Sequence, residues 1–226
     1  IGKEGLEIFR ELIDGNRFPL KVYAILSGED SSTVENYLSK GAEIGYKDKL
    51  TIRAISVDYD GLFELQQAAM FDDYLKEPKR KVAYISDNDL ERIYTRAIDK
   101  NFQFYIKAVG DRAVNSSLNV FEKVLKNNNS KDHRSVLEYS EFINPKDISR
   151  IKDLKVIPSV RPDVCINDMQ IVGELINPEN AGKLGLWNSL IQASGKITTG
   201  LDFPFHQINP FIHIYFVTLL LFLAFP

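Results

Sequence analysis

The feature that most constrains this chain is a regular alternation of short apolar strands with amphipathic helices. Leu6, Ile8, Phe9, Leu12 and Ile13 form an apolar stripe, which predicts a helix over Glu4 to Asp14. "PLKVYAIL" reads as a strand, and Ser32 with Glu35 reads as a capping box opening a helix through "VENYLSKGA". "KLTIRAISV" is the next strand, followed by a long irregular stretch from Asp58 to Lys81. Helix "DLERIYTRAIDKN" leads to strand "FQFYIKAV", and "DRAVNSSLNVFEKVLKN" is the helix after it. "RSVLEYS" is a strand, and Asn144 caps a helix that Pro145 starts. "KVIPSV", helix "LWNSLIQAS" and strand "KITTGLD" complete the pattern. Mostly apolar strands of this length are expected to be buried on both faces and parallel. Such alternation leaves a (β/α) barrel or a doubly wound sheet, and no glycine-rich phosphate fingerprint favours the latter. Six strands are two short of a closed eight-stranded barrel.

Composition excludes several functions. The chain has 226 residues, 44% of them hydrophobic and 26% charged, as in a soluble globular protein. A net charge of −3 argues against a nucleic-acid partner, which needs a basic excess. The single cysteine, Cys165, allows no internal disulfide and points to a reducing, cytoplasmic setting. His133, His206 and His213 lie in unrelated contexts, so a histidine-based zinc site is not expected from them. The N-terminus has no signal-peptide pattern, and the missing initiator Met suggests a start inside a longer gene product. Residues 211–226 form an almost purely apolar tail, set apart from a barrel unit over 1–210. It is shorter than a membrane span of roughly 20 residues, so a buried helix is expected and membrane attachment is the alternative.

In a barrel, function gathers at the C-terminal ends of the strands. Those ends are Ser56 to Asp60, Lys107, Glu138 with Tyr139, Arg161 with Asp163, and Asp202. By strand parity Glu138 is expected to point away from Tyr139. Asp111 and Arg112 read as the structural start of a helix, Trp187 as packing, and the Asp72–Asp73 pair as a solvated face.

Several ordered segments carry a family resemblance. "IKAVGDRAV", "LTIRAISVDYDG", "VLEYSE", "NPKDISRIKDLKVIPSVRP" and "GLDFPFHQINPF" occur in the order, and with much of the wording, of the N-substituted formamide deformylase-like branch of the amidohydrolase superfamily. The resemblance implies an incomplete (β/α)8-type TIM barrel whose first two strands lie upstream of Ile1. It implies an ancestral metal-dependent hydrolase of non-peptide C–N bonds, using zinc or another divalent metal. Family metals are held by a histidine pair on the first strand, a carboxylated lysine on the fourth, histidines on the fifth and sixth and an aspartate on the eighth. Here the lysine position is Ser56, the fifth-strand histidine is Lys107 and the sixth-strand histidine is Tyr139; only Asp202 is retained.

A protonated lysine has no lone pair and repels a dication, so no bound metal is expected at these positions. Catalysis, if any, would rest on the proton-transferring aspartate Asp202 and on Lys107; Tyr139, Ser56, Asp60 and Arg161 are the candidate binding residues. Asp202, left without metals, needs a counter-ion, and Lys107 is expected to supply it. The expected function is an impaired amidohydrolase. The alternatives are a non-catalytic barrel binding a small molecule or protein, Schiff-base chemistry at Lys107, and an incomplete product without function. Unpaired strand edges in such a barrel favour homo-oligomers.

Overall fold

The computed structural model describes residues 1–76, 83–128, 132–202, 209, 211 and 214–218. Strand β1 (Val22–Ser27), β3 (Leu50–Asp58), β4 (Gln103–Ala108), β5 (Val136–Tyr139), β6 (Ile157–Val160) and β7 (Thr198–Thr199) pair side by side in that order, all parallel. The sheet curls into an open half-barrel of six parallel strands, the architecture of an incomplete TIM barrel.

The connecting helices are α1 (Lys3–Asp14), α2 (Ser31–Lys40), α3 (Asp87–Asp99), α4 (Asp111–Lys126), α5 (Pro145–Asp153), α6 (Pro162–Leu175), the single turn α7 (Pro178–Ala181) and α8 (Trp187–Ser194). Three of these parts depart from the sequence reading. Strand β2 (Glu43–Tyr46) folds back antiparallel onto the first residues of β3, which project beyond the start of β4. Helix α6 fills a stretch that carries little amphipathic pattern, because Val164, Ile166, Met169, Ile171 and Val172 all pack partly buried around it. The cap of α2 is Asp30 and not Ser32: its carboxylate accepts from the Thr33 amide at 3.0 Å, while Glu35 is drawn off to a fork with Arg96. Asn144 caps α5 as expected, accepting from the Lys146 amide at 3.1 Å.

The strands are not buried on both faces. In β4, Phe104, Ile106 and Ala108 are fully buried, while Gln103, Tyr105 and Lys107 between them are only partly covered. The convex face carries the core against the helices; Tyr94 of α3, for example, lies 4.9 Å from the Phe104 ring and edge-on to Phe121 of α4 at 5.3 Å. The concave face, which a closed barrel would enclose, is where the polar strand positions point. Among the described residues no helix is long and apolar enough to cross a membrane. Most of the apolar tail, including His213, lies outside the described residues. The burial expected of the tail is not seen at Phe211, Ile214 and Tyr215, which are all exposed.

Candidate functional site at the mouth of the half-barrel

The parallel register puts Asp58, Lys107, Glu138, Ser159 and Thr198 in one row across β3 to β7. Side chains in one row share a face, so charges of alternating sign stand next to one another along the mouth. Lys107 Nζ lies 3.7 Å from Asp58 Oδ2 and 4.6 Å from the centre of the Tyr139 ring. Arg161, just past the end of β6, reaches Glu138 Oε1 at 3.0 Å and, through Nε, Asp202 Oδ1 at 3.1 Å. Its remaining donors go to Ser159 Oγ at 3.1 Å and the Val160 carbonyl at 3.3 Å. Gly200 makes room for this guanidinium, since a Cβ there would meet Arg161 Cζ at 3.0 Å. The Tyr139 hydroxyl donates to Asp202 Oδ2.

Tyr139 comes to the mouth through its backbone. Its φ is +69° and that of Ser140 is +48°, a left-handed pair that ends β5 and that bulky residues adopt only at a cost of about 1–3 kcal/mol each. Simple strand parity therefore fails here: Glu138 and Tyr139 do not face apart but converge on the same Arg161–Asp202 pair. Ser56 stands one position lower on the concave face, 3.5 Å from Glu138 Oε2.

The counter-ion of Asp202 is thus Arg161, and the expected Lys107–Asp202 pair is replaced by Lys107–Asp58 and Arg161–Asp202. The reason is geometric: Lys107 lies in register beside Asp58, whereas Arg161 extends beyond the sheet toward the segment after β7. Burial opposes the Arg161 charge, but Glu138 and Asp202 outweigh it and raise its pKa. Burial, with help from Asp202, pushes the Tyr139 phenol far up, so it stays neutral. Burial also raises Asp58, and Lys107 pulls it back down.

Asp60 belongs to a different structure. It is fully buried, and its carboxylate accepts from the Ala69, Val109 and Gly110 amides at 2.7, 2.8 and 2.9 Å. Ala69 in turn offers its carbonyl to the Arg112 and Ala113 amides at the start of α4. These contacts use Asp60 as a clamp between the irregular stretch and the β4–α4 turn, not as a group facing a ligand. Asp111 is structural too, accepting from the Phe71 amide at 2.9 Å and from Lys183 Nζ at 2.7 Å. His133 packs at the opposite end of the sheet, bonded to Ser135 and the Leu154 carbonyl. His206 lies outside the described residues.

A divalent metal does not fit the residues present. Ser56 has no amine to carboxylate, and the Lys107 ammonium has no lone pair. Tyr139 is held as a neutral phenol, and Asp202 already serves a guanidinium and a hydroxyl. Among the described residues no cluster of three or more His, Cys, Asp or Glu is arranged to hold a metal ion.

Sequence reasoning singled out Ser56, Lys107, Tyr139, Arg161 and Asp202, and the structure brings these five to one mouth. It gave no role to Glu138 or Asp58, although both were legible as strand-end carboxylates. The alternation of charge sign from strand to strand was the available signal.

The amidohydrolase family model matches residues 2–218. Protein LONG AFTER FAR-RED 3 of Arabidopsis thaliana is 27% identical over 175 residues, 76% of this chain and 30% of that protein. The putative amidohydrolase YtcJ of Bacillus subtilis (strain 168) is 22% identical over 162 residues, 71% of this chain and again 30% of the relative. The chain therefore covers less than a third of either relative's length. Among solved structures, an uncharacterized metal-dependent hydrolase from Pyrococcus furiosus superposes with a TM-score of 0.83 at 21% identity, over 96% of this chain and 44% of that one. At that identity the likeness shows the fold.

Proposed function

The chain belongs to the amidohydrolase family, and on that premise we propose that its mouth binds a small polar molecule without metal-dependent hydrolysis of the C–N bonds on which its ancestors acted. The observation that carries this reading is the Arg161 guanidinium bridging Glu138 and Asp202. A fixed positive charge with no lone pair occupies the one retained ligand position, so a metal and Arg161 compete for the same carboxylate. The alternating row of charges supports it further, because every carboxylate of the mouth is already paired with a cation: Asp58 with Lys107, and Glu138 and Asp202 together with Arg161. Lys107 is the loosest of these cations, at 3.7 Å from its partner and partly exposed, and is the group an incoming anion would meet. The ligand class we infer is a small molecule bearing a carboxylate or a similar anionic group, received by Lys107 over the Tyr139 ring.

The test pairs turnover with binding. Incubating the purified chain with N-formyl and N-acyl amines, with zinc or manganese added, is expected to give no hydrolysis above buffer. Calorimetric titration with small carboxylates should give heats that Lys107→Met abolishes. Metal-stimulated hydrolysis that Asp202→Asn removes would overturn the loss of catalysis. Carboxylate binding indifferent to Lys107→Met would overturn the ligand assignment.

A further inference from the structure

The opposite end of the half-barrel, where the strands begin, holds a second group of cations. A cavity of about 110 Å³ lies there, lined by Arg53 of β3, Asn101 and Gln103 at the entry to β4, and Asp132, His133 and Arg134 ahead of β5. Its volume is roughly that of four waters at about 30 Å³ each, which is room for one small ion. Arg53 is a cation without a carboxylate. Its Nε donates to the Asn101 carbonyl at 3.1 Å and its Nη2 to Asn101 Oδ1 at 2.9 Å, both neutral oxygens. The whole of Nη1 and one hydrogen of Nη2 are left without an acceptor among the described residues. Arg134 is held differently. It forks onto Asp132 through Nε at 3.0 Å and Nη2 at 3.0 Å. That carboxylate is 71% exposed, so the pair holds weakly, and Arg134 Nη1 is unused. We propose that this cavity binds a small tetrahedral oxyanion, such as inorganic phosphate or sulfate, between Arg53 and Arg134.

The frame around the two guanidiniums is fixed in advance. Asn101 has φ +60° and Arg134 has φ +46°, in the left-handed region that residues other than glycine and asparagine seldom adopt. The turn at Asn101 presents its backbone and side-chain oxygens together to Arg53. The turn at Arg134 is held by Gln103, whose Nε2 donates to the Arg134 carbonyl at 2.8 Å. Gln103 is held in turn by the Tyr23 hydroxyl, which donates to its Oε1 at 3.1 Å. The segments that carry the two arginines are thereby tied into one frame before any ligand arrives.

Charge and donor geometry set the ligand class. Both ring nitrogens of His133 are engaged, by Ser135 and the Leu154 carbonyl, and burial holds its pKa below the usual histidine value, so it stays neutral at pH 7. Asp132 is then the single anion among the lining residues, against two guanidiniums. Two forks arriving from separate segments offer more N–H groups than the two oxygens of a carboxylate can serve together. A tetrahedral oxyanion has oxygens for both. The site does not depend on the reading of the mouth, because Lys107 and Arg161 stand at the far ends of their strands.

The experiment is calorimetric titration of the full chain with sodium phosphate at low ionic strength. It is run on Lys107→Met, so that the mouth receives no anion. One phosphate per chain is expected. Adding Arg53→Met or Arg134→Gln should weaken binding by about tenfold or more, the loss typical of a hydrogen bond to a charged group. Adding Asp132→Asn should tighten it about two- to fivefold, because Arg134 is released from its exposed partner. A purely structural cluster would not give that gain. Acetate should bind more weakly than phosphate. If Arg53→Met does not fold, Arg134→Gln and Asp132→Asn, both at exposed side chains, carry the test. Absence of phosphate binding in Lys107→Met would overturn the proposal, as would binding that neither arginine variant weakens. Acetate held as tightly as phosphate would overturn the ligand class.

Discussion

Asp60→Ala is expected to destabilise the fold by on the order of 3 kcal/mol, the largest single effect outside the hydrophobic core. The substitution leaves the Ala69, Val109 and Gly110 amides buried without an acceptor, and each such orphan costs about 1–3 kcal/mol. Part of that loss is returned because the buried carboxylate is itself disfavoured. Burial pushes Asp60 up to about 7 against the pull of the three amides. An acid with a raised folded pKa weakens the fold as it ionises, so this contribution to stability falls from about pH 4 to about pH 7. The penalty of Asp60→Ala should accordingly be larger near pH 5 than near pH 8, measurable as two urea midpoints. Asp60→Asn should cost less but not nothing, because one carbonyl oxygen cannot serve both sides of the clamp and its amide would face a backbone N–H. Gly110 belongs to the same device. Its φ of −79° is open to any residue, yet a Cβ there would lie 2.2 Å from the Ala69 carbonyl oxygen. Gly110 is needed for close approach and not for its backbone angle, and an Asp60→Ala chain as stable as the wild type would refute the clamp.

The second large effect is expected at Arg161. Removing its side chain orphans Glu138 and Asp202, which are mostly withdrawn from solvent, and such losses cost about 3 kcal/mol or more when a partner is left behind. The partial exposure of Asp202 places Arg161→Ala at about 2–3 kcal/mol. Arg161→Lys should recover little, because one ammonium cannot span the two carboxylates that the planar fork reaches together. A double change, Arg161→Ala with Asp202→Asn, should be less damaging than the single Arg161→Ala, since it no longer strands that carboxylate. If the double variant is the worse of the two, the pairing is not what holds the mouth.

Much of this could be read from residues, and the failures have physical causes. Alternation of strand and helix is a local pattern, so the barrel class and the six strands were legible. "FQFYIKA" shows its own burial pattern, but its high apolar content hid the alternation that the open concave face produces. Strand β2 was missed because four residues of mixed polarity give no period, and their pairing is set by the overhang of β3. Helix α6 was missed because it is partly apolar all round. At the site, strand ends were legible, while partners were not. Which cation serves Asp202 depends on how far a side chain projects past the sheet, and that is a matter of register. The positive φ of Tyr139 could not be foreseen, because nothing in "LEYSE" requires a left-handed turn.

The central claim is that the mouth holds its charge balance with Lys107 and Arg161 in place of a metal. Elemental analysis of the full chain, purified after growth with added zinc, iron and manganese and dialysed against metal-free buffer, tests it most directly. The account predicts no stoichiometric metal in the wild type, and none gained by Arg161→Ala alone, because Ser56, Lys107 and Tyr139 still offer no ligand set. About one or more tightly bound metal ions per chain, lost on Asp202→Asn, would contradict it.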